Sequence, residues 1–481
     1  MRSPDRRRTS ERSAPRSVRP GWQPPGCRAA GISDKSSSGG VPLQAPDSAS
    51  LWAEQFDRHQ TREHSGELRL VVAASQGDRH GACDTLLPTD FAGSRFTGDS
   101  RGCHHRVDEH ASRPRDTRPS DRAIGSRRVR PVIAVPARNE EARLPRLISA
   151  LSRQTVLACL SAPLPVILAL NNTTDRSRAV AREAVKQAGD ALRLIIVEAR
   201  FATPRAHAGS ARRLATERAA REPSCDVMLT TDADAEPADD WVESNLRAIH
   251  EGADIVGGRI MADPREEDRL GQAFQARARA YARYAALRDE LAALLDPLPW
   301  DPWPRHHDHT GASLAVRADV YRAVGGLDPL ALREDVAFVA KVRSAGFRLR
   351  HAPDVAVTVS ARTRGRARGG MADCLRGWVT AEERGEPLLV ECPAAIEERL
   401  LRRRVLRELQ GASPLAVRQR LRAMGIAGRG GGRAASCIAI PALIERFAAD
   451  DLDAAGTVPV GRAIAILQRR IDQLRESAHA A

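Results

Sequence analysis

Lysine is almost missing from this chain. Of 75 basic residues only Lys35, Lys186 and Lys341 are lysines, so a formal net charge of +14 rests on arginine. Such an excess points toward nucleic acid or an anionic surface, but it is not gathered into one face. Residues 1–130 hold 23 Lys/Arg against 16 Asp/Glu, and residues 131–481 hold 52 against 45. Half of the excess thus falls in about a quarter of the chain, and the arginine preference reads as codon bias of the source. CxxC pairs are missing too: Cys27, Cys83, Cys103, Cys159, Cys225, Cys374, Cys392 and Cys437 stand apart. A chain of 481 residues needs no disulfide framework, so these read as mostly reduced thiols of a cytoplasmic protein. No apolar run reaches 18 residues, which argues against a transmembrane helix. The basic start MRSPDRRRTSERSAPR lacks a following apolar stretch, which argues against a secretory signal. No internal repeat is evident.

The length suggests two to four domains, and the texture of the chain divides it in three. Residues 1–126 are rich in Arg, Ser, Pro and Gly and read as a disordered extension. LRLVVAA (68–74) is the one strand-like exception, and a basic nucleic-acid-binding tail is the competing reading. From 127 to 365 strand-like runs alternate with helical periods: PVIAVPA (131–137), PVILALNN (165–172), LRLIIVEA (192–199), VMLTT (227–231) and ADIVGGRI (253–260). Between them lie helix patterns that include Leu144, Leu147, Ile148 and Leu151, then 173–189 with Gly189 as a stop, 208–222 and 241–252. The alternation predicts a mostly parallel, three-layer α/β sandwich, whose ligands bind off the carboxyl ends of the strands. A long helix is expected over 264–298, a loop at WDPWPRHHDHTG (300–311), and mixed elements to 363. Residues 366–481 read as a mostly helical C-terminal region, entered through the basic, glycine-rich RGRARGG.

At 227–237 an apolar run ends in TTDADAEP. Residues two apart on a strand point to the same side, so Asp232 and Asp234 would project together. Two hard oxygen ligands on one side suit Mg²⁺ or Mn²⁺. A solvated acidic turn capping the helix near Trp241 is the plain alternative. A calcium loop through Asp232, Asp234, Glu236, Asp240 and Glu243 fits poorly, because Pro237 stands where that loop wants glycine. Glu236 has no assigned role beyond capping that helix.

PARNEE (136–141) ends the first strand, NNTTD (171–175) the second and DAD the fourth, while REDV (333–336) follows GGLDP (325–329). This ordered set resembles the family 2 glycosyltransferases of the GT-A fold, over roughly residues 130–365. The resemblance implies a GT-A-like sandwich and a nucleotide-diphosphate sugar, UDP- or GDP-linked, as donor. It implies donor contacts from Pro136, Arg138 and Glu140, with Glu140 meeting the nucleoside, and from Asn171, Asn172 and Asp232. It implies a metal-holding DxD pair in Asp232 and Asp234 and a phosphate contact from Arg212. It implies an ED pair in which Asp335 is the general base and Glu334 an acceptor-binding or supporting residue. The chain departs from the family where two aspartates followed by Gly-Ser are common, carrying Asn171, Asn172, Thr173 and Thr174 instead. Arg213 replaces the usual Asn of the segment before the DxD strand. CLRGW (374–378) lacks the glutamine of the Q-x-x-R-W motif, which argues against a chain-extending synthase.

The expected reaction is non-processive and, by the family's habit, inverting. Cation and carboxylate chemistry suffices for it: charge on a leaving diphosphate needs a counter-charge, and the acceptor hydroxyl needs a base. Asp335 would open a helix with Val336, Val339, Ala340 and Arg343 in register and Gly346 as stop, and a helix N-terminus favours negative charge. His309, in the His306–His307–Asp308–His309 cluster, is a candidate contact for acceptor or metal, although the spacing matches no structural zinc pattern. Trp300 and Trp303 are candidates for stacking on a sugar or for lid packing. RLLRRRVLREL carries Leu400, Leu401, Val405 and Leu406 beside a basic face, so residues 397–408 are a candidate for contact with an anionic membrane surface or for packing on the catalytic domain. The acceptor is not identifiable and nucleic acid is not expected as a partner. Two other classes stay open: a basic binding protein on an α/β scaffold, and a nucleotidyltransferase, though PARNEEARLP lacks the glycine-rich loop of the latter.

Overall fold

A computed structural model of the chain describes residues 129–365, 370–426, 438–450 and 456–480. The expectations for 1–126, and most of RGRARGG, lie outside the described residues. The first part forms eight strands: β1 (Pro131–Ala137), β2 (Leu164–Asn171), β3 (Leu192–Ala199), β4 (Val227–Thr230), β5 (Ala235–Pro237), β6 (Ile255–Ala262), β7 (Leu314–Arg317) and β8 (Leu349–Val359). Between and after them come α1 (Leu144–Ser152), α2 (Ser177–Gln187), α3 (Ala208–Ala220), α4 (Trp241–His250), α5 (Pro264–Glu267), α6 (Gln272–Leu295), α7 (Ala318–Ala323) and α8 (Glu334–Ser344).

One mixed sheet takes the order β3-β2-β1-β4-β7-β6-β8-β5. β1 lies parallel to β2 and β4, β2 to β3, and β6 to β8. β7 runs antiparallel between β4 and β6, and β5 antiparallel beside β8. The antiparallel β7 and β5 are the elements that strand-like periodicity does not separate. All seven residues of β1 are buried, because helices cover both faces of the sheet. Ile133 and Val135 point to a layer formed by α1, α2 and α4, where Leu144, Leu147, Leu151, Ala181, Trp241 and Leu246 pack. Val132 and Ala134 point to α3, α7 and α8, against Ala215, Ala219, Tyr321, Phe338 and Val339. The three-layer sandwich expected from the alternation is therefore present. Burial of each large aliphatic side chain contributes about 1.5–3 kcal/mol.

Two glycines in β6 shape the ground on which the site is built. A Cβ at Gly257 would stand 2.2 Å from the carbonyl of Asp308, and one at Gly258 would stand 2.1 Å from Ser313 Oγ and 2.5 Å from Val355. Their bare backbone lets the 308–313 segment lie flat across the strand. Ser313 Oγ in turn accepts the buried indole N–H of Trp241 at 2.9 Å. The register of β6 on β8 shifts just after Gly258, the usual place for a strand irregularity.

The remaining chain forms α9 (Met371–Glu383), β9 (Leu389–Glu391), α10 (Pro393–Glu408), α11 (Pro414–Ala423), α12 (Ile440–Phe447), β10 (Thr457–Pro459) and α13 (Val460–Ala480). The expected helix over 264–298 is broken at Gly271 (φ 92) and runs as α5 and then α6. Phe274, Ala278, Tyr281, Tyr284 and Leu287 of α6 are buried, but in a second core with Leu375 and Trp378 of α9, Ile396 and Leu400 of α10, and Leu467 and Ile471 of α13. Tyr281 meets Trp378 edge-on at 5.5 Å.

The apolar stripe expected on 397–408 is divided. Leu400 and Leu406 are buried in two different cores, and only Leu401 stands out, 43% exposed. Its arginines are paired within the protein, Arg402 with Glu398, Arg403 with Asp450, Arg404 with Glu408 and Arg407 with Asp296. The apolar half that a membrane contact needs is thus inside, which removes the basis for that expectation. Among the described residues no helix is long and apolar enough to cross a membrane. Cys225, Cys374 and Cys392 are free thiols.

Gly258→Ala is expected to lower stability by about 1–3 kcal/mol, since a side chain inserted against Ser313 and Val355 overpacks a close backbone crossing. A urea midpoint equal to that of the wild type would refute this account of the glycine pair.

Candidate active site at the carboxyl rim of the sheet

The ends of β1, β2, β4 and β8, the segment entering β7 and the start of α8 meet on one rim. The sharp turns after β1 and β2 use Asn139 (φ 54) and Asn172 (φ 47), in the left-handed region that asparagine tolerates better than most residues. The two turns hold each other. Asn139 Oδ1 accepts the Thr174 N–H at 2.8 Å, Asp175 Oδ2 accepts that of Glu141 at 3.1 Å, and Ser177 Oγ accepts that of Glu140 at 2.9 Å.

Arg212 of α3 is at the centre. Its side chain is 5% exposed. Nε donates to Glu334 Oε1 at 3.0 Å, one terminal nitrogen to Thr230 Oγ1 at 3.0 Å and the Gly311 carbonyl at 2.8 Å, and the other to Asp232 Oδ1 at 2.8 Å. Four of its five N–H donors are thereby engaged by the protein. Asp232 and Glu334 together hold the guanidinium charged against the cost of burial. The phosphate contact expected of Arg212 meets a fork already turned to protein oxygens, which ties Asp232 to Glu334. Burial pushes Glu334 above the usual carboxylate range, Asp335 adds to the rise, and Arg212 opposes it. Gly311 lies so close that a Cβ there would stand 2.2 Å from the Arg212 guanidinium carbon.

Asp335 sits in the first turn of α8, after Arg333 in the left-handed region (φ 56). Its Oδ1 accepts the N–H of Val336 at 2.8 Å, and its Oδ2 that of Gly311 at 2.5 Å. Gly311 therefore joins both arms of the site, its N–H to Asp335 and its carbonyl to Arg212.

A second arginine, Arg362, does not stand out in the sequence. It follows the end of β8 and donates two bonds to Glu140, at 3.1 and 2.8 Å, while the nitrogen at 2.8 Å also lies 3.0 Å from Asp234 Oδ2. Nothing in the spacing of VSAR marks it; only the return of β8 to the rim brings it to β1. Burial pushes Asp234 up to about 6; Arg362 opposes the rise, and Asp232 and Glu140 add to it. Oxygen-only donors with more negative charge than two guanidiniums balance fit a hard divalent cation. Among the described residues no group of three or more His, Cys, Asp or Glu is arranged to hold a metal.

Other candidates are placed differently. The amide of Asn172 is closed on one peptide unit, Nδ2 donating to the Phe201 carbonyl and Oδ1 accepting its N–H, both at 2.9 Å. This closure fixes the Asn172 amide against one peptide unit and leaves it one N–H and one oxygen lone pair for any other contact. Asn171 is buried and donates to the His207 carbonyl at 2.9 Å, while its Oδ1 is buried without a hydrogen-bond partner. Pro136 is inside β1, and Arg138 is exposed, donating to the Ala206 carbonyl at 3.2 Å. Glu140 is held by Arg362 rather than open to a nucleoside. His309 is hydrogen-bonded to His351 at 3.2 Å, and His351 Nδ1 to Asp301 at 2.9 Å. Burial, with His351 beside it, pushes His309 down to about 3. It is a neutral member of a part-buried Asp–His–His chain, in no metal-holding group with Asp232 and Asp234. Trp300 lies beneath the Arg348 guanidinium, and Trp303 is 42% exposed. Glu236 is in β5 and pairs with Arg146 at 3.3 Å, so it caps no helix. Glu243 accepts the Thr155 hydroxyl, which leaves a calcium loop through Glu236 and Glu243 without its ligands.

Residues 132–298 match the family model described as Glycosyl transferase family 2. No curated protein matches in sequence. Among solved structures, a mannosyltransferase from Pyrobaculum calidifontis, in complex with GDP-Man and Mn²⁺, is similar at 15% identity and a TM-score of 0.35, over 67% of this chain and 87% of that one. Glucosyl-3-phosphoglycerate synthase from Mycobacterium tuberculosis, in complex with Mn²⁺, UDP-glucose and phosphoglyceric acid, is similar at 17% identity and a TM-score of 0.29, over 54% and 81%. S. aureus TarS 1–349 in complex with UDP gives 12% identity and a TM-score of 0.34, over 66% and 90%.

Two outcomes test the electrostatics. Arg212→Met leaves buried Glu334 and the facing Asp232 without their cation, and a loss of about 3–5 kcal/mol is expected on chemical denaturation; a loss under about 1 kcal/mol contradicts the hub. Asp234 binds its proton more tightly folded, at about 6, than at its ordinary 3.8. The folded protein therefore holds more protons in that window, and stability falls as pH rises through it. Without added metal, Asp234→Asn is expected to be more stable than the wild type by about 1–3 kcal/mol above pH 6, with the gain gone below pH 4. A pH-independent difference would contradict the assignment.

Proposed function

We propose that this chain, whose residues 132–298 match the family 2 glycosyltransferase model, is a glycosyltransferase that moves one sugar from a nucleotide-diphosphate sugar to an acceptor hydroxyl, with Mn²⁺ or Mg²⁺ at Asp232 and Asp234. The observation that carries this reading is the tie through Arg212: one buried guanidinium holds Asp232 on the donor side and Glu334 beside Asp335 on the other. On the GT-A-like sheet this sets a cation-demanding pair next to a carboxylate able to take a proton.

The roles follow from the contacts. Each oxygen of Asp335 accepts one backbone N–H, which fixes the carboxylate plane and leaves lone pairs for an acceptor O–H. The acceptor oxygen bonds to the anomeric carbon, its proton passes to Asp335, and the electron pair of the broken bond leaves with the diphosphate. Glu334, engaged by Arg212, positions that guanidinium and takes no proton from the acceptor. A divalent cation, when bound, supplies counter-charge for the leaving diphosphate. A base at Asp335 suits a single displacement with inversion.

A non-processive reaction agrees with the placing of CLRGW. Trp378 of that segment is buried in the second core with Phe274 and Tyr281. It forms no floor for a growing chain. Pro136, Arg138 and Asn171 stand at the ends of β1 and β2, where the nucleoside would lie, with Arg138 the exposed member.

The deciding experiment is a panel of UDP- and GDP-sugars with Mn²⁺ or Mg²⁺, followed by thermal shift and by slow donor hydrolysis. One nucleotide-sugar is expected to stabilise the protein only with metal. Asp335→Asn is expected to cut transfer or hydrolysis by about 10²–10⁴-fold, with donor binding unchanged. No stabilisation by any donor, or full turnover by Asp335→Asn, defeats the reading.

A further inference from the structure

We propose that Arg362 is the donor site's own counter-ion, which occupies the cation position between Glu140 and Asp234 while the site is empty and yields Asp234 to a divalent metal when a nucleotide diphosphate enters. This rests on the function proposed above. The argument begins with charge. Glu140, Asp232, Asp234, Glu334 and Asp335 are five carboxylates on one rim; among the described residues Arg212 bonds Asp232 and Glu334, and Arg362 bonds Glu140 and Asp234. Arg212 is buried and has four N–H groups engaged, so it is not free to move. Arg362 differs in each respect. Its side chain is 23% exposed, its partners are the two carboxylates themselves, and it stands on the segment leaving β8.

One nitrogen of Arg362 serves both acids, lying 2.8 Å from Glu140 Oε1 and 3.0 Å from Asp234 Oδ2. A cation that binds Asp234 must share or displace that contact. Glu140 keeps the other bond, from the second nitrogen at 3.1 Å, so the guanidinium pivots on Glu140 rather than leaving. The nitrogen that gives up Asp234 is then directed to the space where the metal and its diphosphate arrive, and a guanidinium fork suits phosphate oxygens. Arg362 and the metal compete for Asp234 when alone and cooperate when a diphosphate is present. Glu140 thereby becomes the fixed anchor of the pivot.

The test uses the full chain. Mn²⁺ binding is measured by electron paramagnetic resonance, with Mn²⁺ alone and with saturating UDP or GDP. In the wild type the nucleotide is expected to tighten Mn²⁺ by about 5- to 100-fold, the usual span of a coupling. Arg362→Ala is expected to bind Mn²⁺ alone about tenfold more tightly and to lose most of that coupling. Arg362→Lys, which keeps the charge but not the fork, is expected to resist Mn²⁺ like the wild type while gaining less from nucleotide. Equal Mn²⁺ affinity in the wild type with and without nucleotide overturns the proposal, and this needs no variant to fold. So does Mn²⁺ bound equally or more weakly by Arg362→Ala with its circular dichroism intact. The reading of Asp234 as a metal ligand fails separately, when Arg362→Ala binds Mn²⁺ more tightly and adding Asp234→Asn leaves that affinity unchanged; the tightening then arises elsewhere and the pivot falls with it.

Discussion

The buried guanidinium of Arg212 is the constraint on which the rim depends. Burying a charge costs several kcal/mol unless its partners are close and its donors are filled. Here α3, the end of β4, the Gly311 backbone and the first turn of α8 each supply a part, with Arg212 on the first and its acceptors on the others. Four pieces of chain distant in sequence are thus fixed to one planar group. The fixing also explains glycines that periodicity leaves unaccounted for. Gly311 is bare because the guanidinium lies against it, and Gly209 is bare because a Cβ there would stand 2.0 Å from the Leu330 carbonyl, where α3 meets the approach to α8.

Beside this balanced hub lies an unbalanced one. Among the described residues the rim carries five carboxylates and two guanidiniums bonded to four of them. Burial concentrates the cost on Asp234, and neighbouring Asp232 and Glu140 add to it. A fold selected for stability alone would relieve such a site with an amide or an apolar side chain. Keeping it ionised makes sense where an incoming cation offsets the charge, which is the trade between stability and function seen at strained sites.

How much of this can be read from the residues varies with the physics involved. The buried strands and amphipathic helices of the sandwich are local patterns, so β1 to β4 and α1 to α4 fall within a few residues of where periodicity places them. The pairs Asp232–Asp234 and Glu334–Asp335 are visible because each is a short acidic pattern at a strand end or a helix start. Arg362 is not, since its meeting with Glu140 spans 222 positions and depends on the path of β8. Asn172 looks like a ligand because amides bind bases, but its left-handed backbone and its closure on Phe201 are set by the turn. His309 shows the same limit. A cluster of His and Asp in sequence says that the residues are near one another, not whether they face a ligand or, as here, a chain ending on Asp301.

The helical C-terminal region bears on the rim through α8. That helix carries Asp335 and Glu334 in its first turn, and near its other end Arg343 pairs with Glu445 at 2.9 Å and with Asp450 at 3.5 Å. Asp450 also binds Arg403 of α10, at 2.6 Å, so α8, α10 and the segment carrying α12 share one partly exposed ionic knot. Burial alone would push Asp450 up, yet the three arginines around it hold it well below the usual carboxylate range. α8 is therefore tied at both ends, to Arg212 and Gly311 at the rim and to the helical region at the far side. A helix is stiff along its axis, so the position of Asp335 relative to Asp232 is set by both ties together. The helices beyond residue 370 then serve as the outer abutment of α8, joined to it by charged groups as well as by apolar contacts.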